Sequence, residues 1–303
     1  VVPAYNEEKN VRILYKRIAE VMKPLHKEWE INYVDDGSTD RTFQDLQQLK
    51  KEFSHVRAIR FTRNFQKAAA MSAGFLHAKG NIIMTLDADL QDDPREIPKF
   101  LEKINQGYDL VVGWKVNRKD SFEKRIMSKF FNLLVRRLTH IKLHDSDCNF
   151  RAMRKEVAQS FKIYSGLYRY IPSFAHAKGF KIAEVKVRHQ KRIYGSSKYG
   201  ITRLLKGFFD LITVKFLLSY SKRPLHVFGS LGLLTSFLGF IGGVYLLVLR
   251  LLYLEPIGSR PLLLLVILLL VLGVQFISIG LIGEIMVSQK ADPKDDFVVK
   301  ELL

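Results

Sequence analysis

Two long segments without charge constrain the fold of this chain most. No charged residue occurs from Val227 to Leu249, and none occurs from Pro261 to Gly283. Each segment exceeds the roughly 20 apolar residues that a helix needs to cross the core of a bilayer. Buried helices of soluble domains are usually shorter and keep a polar edge. The pattern therefore predicts two transmembrane helices, joined by a short link that contains Pro256 and Gly258.

Positive residues flank this hairpin on both outer sides, namely Lys215, Lys222, Arg223, Lys290 and Lys294. Loops rich in Lys and Arg stay on the cytoplasmic side of a membrane. Both ends of the hairpin are therefore expected in the cytoplasm. The single cysteine, Cys148, cannot form an internal disulfide, which agrees with a reducing compartment.

The chain is strongly basic, with a formal net charge of +18. Such an excess of positive charge is compatible with nucleic-acid binding. The two apolar segments instead favour anionic lipid head groups and phosphates as partners, so we expect no nucleic acid.

The first two thirds of the chain alternate between short apolar runs and helical patterns. Strands are predicted at 31–34, 55–61, 81–86 and 109–114, and helices at 7–23, 40–52, 66–79 and 94–106. This alternation predicts an α/β fold with a largely parallel sheet covered by helices. Ligands of such sheets collect at the carboxyl ends of the strands.

One acidic segment, "DADLQDD", follows the predicted strand 81–86. If the strand continues, Asp87, Asp89 and Gln91 point to the same side. Hard oxygen ligands suit Mg²⁺ or Mn²⁺, which share their coordination shell with substrate phosphates. Asp92 and Asp93 precede Pro94 and are assigned to the start of the next helix, where the dipole favours negative charge.

A second acidic segment, "DDGSTD", follows the predicted strand 31–34. Asp36 could accept hydrogen bonds from a nucleobase, and Pro3 and Tyr5 could form a wall beside a flat ring. Asp-Gly-Ser is also ordinary turn chemistry, with Ser38 or Thr39 as a helix cap. Composition alone leaves these two interpretations equal.

Six stretches in order carry a resemblance: "PAYNEE", "DDGSTD", "RNFQKAAAMSAG", "TLDADLQDDP", "HDSDCNFRAMR" and "RIYGSSKYG". Together they resemble glycosyltransferase family 2. The last two, with the hairpin, look like its polyprenyl-phosphate branch, which includes dolichol-phosphate mannosyltransferases and bacterial undecaprenyl-phosphate glycosyltransferases. Each motif is weak singly, and their order makes the resemblance specific.

The resemblance implies an α/β GT-A (Rossmann-like) nucleotide-sugar-binding domain with appended membrane elements. The expected parts are a cytoplasmic catalytic domain at 1–200, amphipathic interfacial helices at 201–224, two transmembrane helices at 225–290 and a cytoplasmic tail at 291–303. The expected location is the bacterial inner (plasma) membrane. Membrane lipids are expected partners, and a homo-oligomer is left open.

The resemblance also implies a set of site residues. The donor would be held by Pro3, Tyr5, Glu7, Val34, Asp36, Asp87 and Ala88. The metal, Mg²⁺ or Mn²⁺, would be bound by Asp89 and Gln91, with Asp87 close by. The acceptor phosphate would be held by Lys115, Arg118, Arg125 and the "R-x-x-G-x-S-K" match, which contains Arg192, Ser197 and Lys198.

Asp145 matches an acidic position of the family and is expected to orient the acceptor or to act as a base, with Asp147 as its rival. Asp89, Arg192 and Lys198 complete the expected catalytic set. For Asp145 and Asp147, a salt bridge with Arg151 or Arg154 is an equal alternative.

Two positions depart from the family pattern. Relatives often have glycine where this chain has Gln66. Lys115 stands where dolichol-phosphate mannosyltransferases carry arginine, and lysine lacks the bidentate fork of a guanidinium.

The expected reaction is the inverting, metal-dependent transfer of a sugar from a nucleotide-sugar to undecaprenyl or dolichyl phosphate at the cytoplasmic face. UDP-glucose is the preferred donor and GDP-mannose an alternative. A processive polysaccharide synthase is disfavoured, because neither Trp29 nor Trp114 lies in a Q-x-x-R-W context. A non-catalytic membrane scaffold is disfavoured by the intact acidic and basic motifs.

Overall fold

A computed structural model describes residues 1–116, 137, 141, 143–160, 163, 165–190, 202–219 and 223–290. For 202–209, 219, 288 and 290 it describes the backbone only. The described chain consists of two compact units. The first ends at Val214, and the second begins at Lys215.

Among the described residues, seven strands form the sheet of the first unit: β1 (Val2–Ala4), β2 (Ile31–Asp35), β3 (Val56–Arg60), β4 (Ile82–Thr85), β5 (Leu110–Lys115), β6 (Arg151–Arg154) and β7 (Ile182–Val187). One group has the order β1-β2-β3 and the other β4-β6-β5-β7. Val1 joins them, since its amino group donates to Met84 O at 2.7 Å and its carbonyl accepts from Leu86 N at 3.3 Å. The resulting order is β3-β2-β1-β4-β6-β5-β7.

The strands are parallel except for β6, which runs antiparallel to both β4 and β5. The sequence therefore predicts the parallel part correctly and does not predict the antiparallel insertion. The four predicted strands and the four predicted helices all form, with ends shifted by a few residues. The carboxyl ends of β1, β2, β3 and β4 consequently lie along one edge of the sheet.

In the part of the chain that the structure describes, six helices lie between or beside these strands, namely α1 (Val11–Met22), α2 (Thr42–Glu52), α3 (Gln66–His77), α4 (Ile97–Asn105), α5 (Lys155–Gln159) and α6 (Ile171–Ala177). Their apolar faces cover the sheet. Phe100 of α4, for example, lies against Phe150 beside β6, with ring centroids 4.4 Å apart and both side chains fully buried. A further helix, α7 (Thr202–Ser219), runs across the boundary between the two units.

The second unit contains the helices α8 (Pro224–Leu252) and α9 (Pro261–Lys290). Both are long and apolar enough to cross a membrane. They approach closely at Gly232 and Gly273, where a Cβ on Gly232 would lie 2.7 Å from the carbonyl oxygen of Gly273. Small residues at such a contact are typical of helices that pack together in a bilayer.

Candidate active site

The loops after β1 and β2 are bound to each other. Asn6 N donates to Ser38 Oγ at 2.9 Å, and Thr39 N donates back to Asn6 Oδ1 at 2.9 Å. Glu7 N donates to Thr42 Oγ1 at 2.7 Å, at the start of α2. Ser38 and Thr39 therefore join two loops, rather than only capping a helix as their turn chemistry suggested.

Asp36 connects this pair of loops to the loop after β3. Its Oδ1 accepts a hydrogen bond from Phe65 N at 2.7 Å. Burial raises the pKa of the Asp36 carboxyl above its ordinary value, against the opposite effect of the Phe65 and Gln66 amides. Gly37 permits the close approach of the loops: its φ is 70°, and a Cβ there would lie 2.4 Å from the Arg63 carbonyl carbon.

Asp87, just beyond β4, contacts two polar side chains. Its Oδ1 lies 2.5 Å from Lys67 Nζ and accepts from Asn149 Nδ2 at 2.8 Å. Burial alone would raise the pKa of Asp87, but Lys67, Lys115 and Asn149 together hold it below its ordinary value. Asp87 is therefore an ionised carboxylate within a positive environment.

Lys115, at the end of β5, forms a buried ion pair with Asp92. The Nζ and Oδ1 atoms are 2.8 Å apart, and the two side chains are 14% and 1% exposed. Burial alone would lower the pKa of Lys115, but the carboxylates of Asp92 and Asp87 raise it above its ordinary value. Without a ligand, the charge of Lys115 is matched by Asp92, and its contact with the acceptor phosphate stays a prediction.

The same pair corrects the assignment of Asp92 to a helix start. Only Asp93 has that role: it precedes the 3-10 turn Pro94–Glu96, and its Oδ1 accepts from Arg95 N at 3.1 Å. The Arg95 guanidinium also binds Asp93, at 2.8 Å.

The acidic segment does not continue the strand. β4 ends at Thr85, and the residues that follow form a turn in which Leu90 has a φ of 62°. The prediction that strand alternation aligns Asp87, Asp89 and Gln91 is therefore wrong. Asp89 is nearly buried, and its Oδ1 accepts from Gln91 N at 3.2 Å.

The segment after β7 lies against this turn. Gln190 N donates to Gln91 O at 2.9 Å, and Gln190 Nε2 donates to Asp93 Oδ2 at 3.2 Å. His189 forms a β-bridge with Asp92. In sequence, Gln190 directly precedes the basic "KRIYGSSK" segment.

Asp145 and Asp147 have different partners from those expected. Asp145 is buried, and its Oδ2 accepts from Lys115 N at 3.4 Å. Asp147 pairs with Arg169, with Nε and Oδ1 3.6 Å apart. Arg154 pairs with Asp109 at 3.4 Å and does not form the alternative bridge to Asp145 or Asp147.

Arg151 does not form the alternative bridge either. Arg151 is fully buried, and its guanidinium donates to the carbonyl oxygens of four residues: Ser146, Cys148, Tyr168 and Arg169. It holds together the segment that carries Asp145 and Asp147.

Most of the remaining donor candidates lie in the loops after β1 and β4. Tyr5 and Glu7 follow β1 directly, and the nearly buried Ala88 follows Asp87. Pro3, in β1, pairs with Val34 of β2. The Val34 side chain is completely buried, and the part of Val34 in holding the nucleoside stays a prediction.

Five predicted acceptor residues lie outside the described residues: Arg118, Arg125, Arg192, Ser197 and Lys198. Two residues that the sequence reasoning did not assign, Lys67 and Asn149, contact Asp87. Both lie inside motifs that carry the family resemblance, "RNFQK" and "CNFRAMR". Their place in these motifs could have identified them from the sequence.

A divalent metal fits the residue types of the turn after β4. Asp89 and Gln91 offer hard oxygen atoms, and Mg²⁺ typically binds one or two carboxylates and completes its shell with phosphates and water. Asp87 is the weaker candidate, since Lys67 already occupies one of its oxygens. Within the described residues, no group of three or more His, Cys, Asp or Glu side chains could hold a metal ion by itself.

Comparison with known sequences gives consistent matches. Residues 1–161 match the family described as "Glycosyl transferase family 2". Dodecaprenyl-phosphate galacturonate synthase of Rhizobium johnstonii is 36% identical, and the alignment covers 100% of this chain and 91% of that protein. Undecaprenyl-phosphate 4-deoxy-4-formamido-L-arabinose transferase of Pseudomonas aeruginosa is 36% identical, over 94% of this chain and 83% of that protein.

Solved structures share the fold at lower identity. Glucosyl-3-phosphoglycerate synthase from Mycobacterium tuberculosis, in complex with Mn²⁺, UDP and phosphoglyceric acid, matches with a TM-score of 0.55 and 17% identity. This match covers 72% of the present chain and 76% of the other. The same enzyme in complex with Mn²⁺ and UDP-glucose matches with a TM-score of 0.53 and 18% identity, over 72% and 77% of the two chains.

Proposed function

The chain belongs to glycosyltransferase family 2, as one of its polyprenyl-phosphate sugar transferases, and from that premise we propose that its donor is a UDP-sugar. The observation that supports this proposal is that residues 65–67 connect the two acidic loops, the one after β2 and the one after β4. Phe65 N donates a hydrogen bond to Asp36, and Lys67 Nζ binds Asp87. A nucleoside subsite and a diphosphate subsite at one sheet edge are what a nucleotide-sugar requires.

In this proposal Asp36, Tyr5 and Pro3 hold the uridine, and Glu7 supports the loop after β1. The carboxylate of Asp87 and the backbone of Ala88 face the donor sugar and diphosphate. The structures of similar fold that contain UDP support the choice of uridine.

Asp89 and Gln91 would hold Mg²⁺ or Mn²⁺, and the metal would stabilise the charge that develops on the departing diphosphate. The turn that carries them is fixed from both sides. Leu90 is completely buried, and Gln190 pairs with Gln91 through the backbone. This fixed turn would hold the Asp89 carboxylate in place before the donor arrives.

The acceptor phosphate is an anion near neutral pH, with a second pKa of about 6 by analogy with phosphorylated side chains. It therefore needs orientation and charge compensation more than deprotonation. We assign compensation to the basic residues Arg118, Arg125, Arg192 and Lys198. The hydroxyl of Ser197 would add a neutral hydrogen-bond donor. We assign orientation to Asp145, whose main chain is held by Glu184 through a 3.1 Å hydrogen bond from Asp145 N.

We propose galacturonic acid as the first donor sugar to test, because the relative named for galacturonate aligns with the whole chain. The formamido-arabinose transferases align over 94% of it and give the second choice. Glucose, the sequence-based preference, has less support, because neither group of these relatives is named for it.

The helices α8 and α9 would cross the membrane as a hairpin and place the catalytic unit at the cytoplasmic face. Their basic outer flanks support this orientation. A polyprenyl phosphate presents its head group at that surface, within reach of a protein anchored there.

The test uses the purified full-length chain in lipid nanodiscs with undecaprenyl phosphate, Mn²⁺ and four radiolabelled donors: UDP-galacturonic acid, UDP-4-deoxy-4-formamido-arabinose, UDP-glucose and GDP-mannose. We expect label to enter the lipid fraction with one UDP-sugar and not with GDP-mannose. Reactions without undecaprenyl phosphate are the control. Transfer from GDP-mannose alone, or from no donor, would contradict the proposal.

A further inference from the structure

Glu184 of β7 binds two consecutive residues of the segment that precedes β6. Its Oε1 accepts hydrogen bonds from His144 N at 2.7 Å and from Asp145 N at 3.1 Å. Its Oε2 lies 2.8 Å from His144 Nδ1. Three of the roughly four lone-pair sites of this carboxylate are thus directed at residues 144 and 145. The Glu184 side chain is only 13% exposed, so water competes little for these contacts.

The segment that Glu184 binds has no regular secondary structure. Residues 143–150 belong to no strand or helix, so the hydrogen bonds of a sheet do not hold their main chain. Asp145 is nevertheless buried. On its carboxyl side, Arg151 Nη2 donates to Ser146 O at 3.1 Å. Glu184 therefore holds the amino side of Asp145, and Arg151 holds the residue that follows it.

The His144 ring anchors the same segment a second time. It stacks on the Trp114 indole, with ring centroids 4.1 Å apart and an angle of 12° between the ring planes. Trp114 lies near the end of β5, and β5 pairs with β7, which carries Glu184. The residue before Asp145 is thus held at its ring face by one strand and at its ring edge by the neighbouring strand. Strands of a sheet offer a more precise support than a loop does.

We propose that Glu184 is a positioning residue of the sugar transfer and that it acts through Asp145. By fixing the Asp145 main chain, Glu184 determines where the Asp145 carboxylate meets the acceptor phosphate. Glu184 acts in this way only if Asp145 orients the acceptor, so the inference rests on the function proposed above. A reacting group that is misplaced by about 1 Å can lower the rate by about a hundredfold.

The contacts of Glu184 assign its effect to the acceptor rather than to the donor. The donor loops are held by other contacts, since Phe65 N binds Asp36 and Lys67 binds Asp87. Among the described residues, the hydrogen bonds of Glu184 reach only residues 144 and 145. Loss of its carboxylate should therefore impair the use of polyprenyl phosphate and leave the binding of UDP unchanged.

The test compares two substitutions of similar size in the full-length enzyme. Glu184→Met has no acceptor oxygen, and Glu184→Gln keeps one for the two backbone amides. Transfer is measured in nanodiscs at increasing mole fractions of undecaprenyl phosphate. We expect Glu184→Met to lower kcat/KM for undecaprenyl phosphate by about tenfold to a hundredfold and Glu184→Gln to recover most of it. Calorimetric titration of UDP with Mn²⁺ should give the same Kd for both variants as for the unaltered enzyme.

Asp109→Ala is the matched control. It removes a carboxylate at the other end of the same strand, where Asp109 accepts from Lys181 N at 2.8 Å. This change should lower the stability of the sheet without changing kcat/KM or the Kd for UDP. An equal fall of kcat/KM in Asp109→Ala and Glu184→Met would overturn the inference, because any weakening of β7 would then have the same effect.

A double mutant separates positioning from a purely structural role. If Glu184 acts through Asp145, adding Glu184→Met to Asp145→Asn should lower kcat/KM little further than Asp145→Asn alone. Losses that multiply, or an unchanged kcat/KM in Glu184→Met alone, would overturn the inference. An unchanged kcat/KM in Asp145→Asn would instead overturn the role of Asp145 itself, and the inference with it.

His144→Ala decides the question if Glu184→Met does not fold. The His144 side chain is 56% exposed, so its removal leaves the core intact. We expect kcat/KM for undecaprenyl phosphate to fall by about twofold to tenfold, the scale of one hydrogen bond, with little further loss when Asp145→Asn is added. An unchanged kcat/KM, or a loss that multiplies with that of Asp145→Asn, would overturn the inference.

Discussion

Lys67 Nζ lies 2.5 Å from Asp87 Oδ1 and so joins the first turn of α3 to the loop after β4. The same turn of α3 also binds the loop after β2, through Phe65 N and Asp36. Three consecutive residues therefore hold two acidic loops that are about fifty residues apart in sequence. The ammonium group is also 5.4 Å from the centre of the Tyr168 ring, an additional attraction for a cation.

Lys67→Met is expected to lower kcat/KM by about tenfold to a hundredfold, the scale of a misplaced reacting group. Lys67 holds the pKa of Asp87 below its ordinary value. Without Lys67, the Asp87 carboxylate takes up a proton at a higher pH than in the unaltered enzyme. As the pH is lowered, the variant should therefore lose activity at a higher pH than the unaltered enzyme does. The measurement is the pH dependence of transfer to lipid.

Lys50→Met removes an exposed lysine from α2 and serves as the control, with no expected change in rate or profile. Lys67→Arg keeps the charge and should recover part of the activity. A Lys67→Met enzyme with lower activity but an unshifted acidic limb would show that Lys67 does not act through the ionisation of Asp87.

Asp89→Asn is expected to reduce transfer by about a hundredfold or more, because it removes a charge aimed at the site where a metal–diphosphate would sit. Its affinity for UDP should also lose most of its dependence on Mn²⁺. Calorimetric titration of UDP with and without Mn²⁺ measures this directly.

Asp93→Asn is the matched control, four residues further along the same turn. Its carboxylate is bound by Arg95 and Gln190 and serves the start of the next helical turn. Asparagine also caps helices through its side-chain oxygen, so the loss of stability should be small. Activity close to that of the unaltered enzyme is expected, and an Mn²⁺ response that survives in Asp89→Asn but not in Asp93→Asn would reverse the two assignments.

The sequence predicted the strands that have a clear apolar pattern and missed those that do not. β2 and β4 are short apolar runs and were found within one residue of their observed ends. β6 begins and ends with arginine, and its side chains gave no apolar run. β7 alternates as "IAEVKV", with Val185 and Val187 buried, and this period of two could have identified it.

The position of the acidic residues at strand ends was predicted better than their detailed geometry. Asp36 and Asp87 lie at strand ends, as the parallel pattern requires. The alternation argument failed beyond Thr85, because a turn with a left-handed Leu90 replaces the strand. Sequence patterns also cannot show which charges neutralise each other. The pairing of Lys115 with Asp92 depends on β5 lying near the β4 loop, which only the fold determines.

Gln66→Gly is expected to raise the melting temperature. Gln66 is exposed and has a φ of 72°, a conformation that costs a residue with a Cβ about 1–2 kcal/mol. Glycine removes that cost but loses more entropy on folding, so a net gain of up to about 1 kcal/mol is expected. Gln47→Gly, in the interior of α2, is the control and should instead lose about 1 kcal/mol. Equal losses in both variants would show that the backbone at Gln66 carries no strain.

Arg151→Met is expected to destabilise the catalytic unit by roughly 3 kcal/mol or more, because it leaves several buried carbonyl groups without donors. Arg154→Met changes the other end of β6, where the side chain is 40% exposed and pairs with Asp109. A partly exposed pair contributes at most about 1 kcal/mol, so this variant should unfold close to the unaltered protein. Thermal unfolding in the same detergent compares the two. If they lose equal stability, the four carbonyl contacts of Arg151 do not hold the Asp145–Asp147 segment.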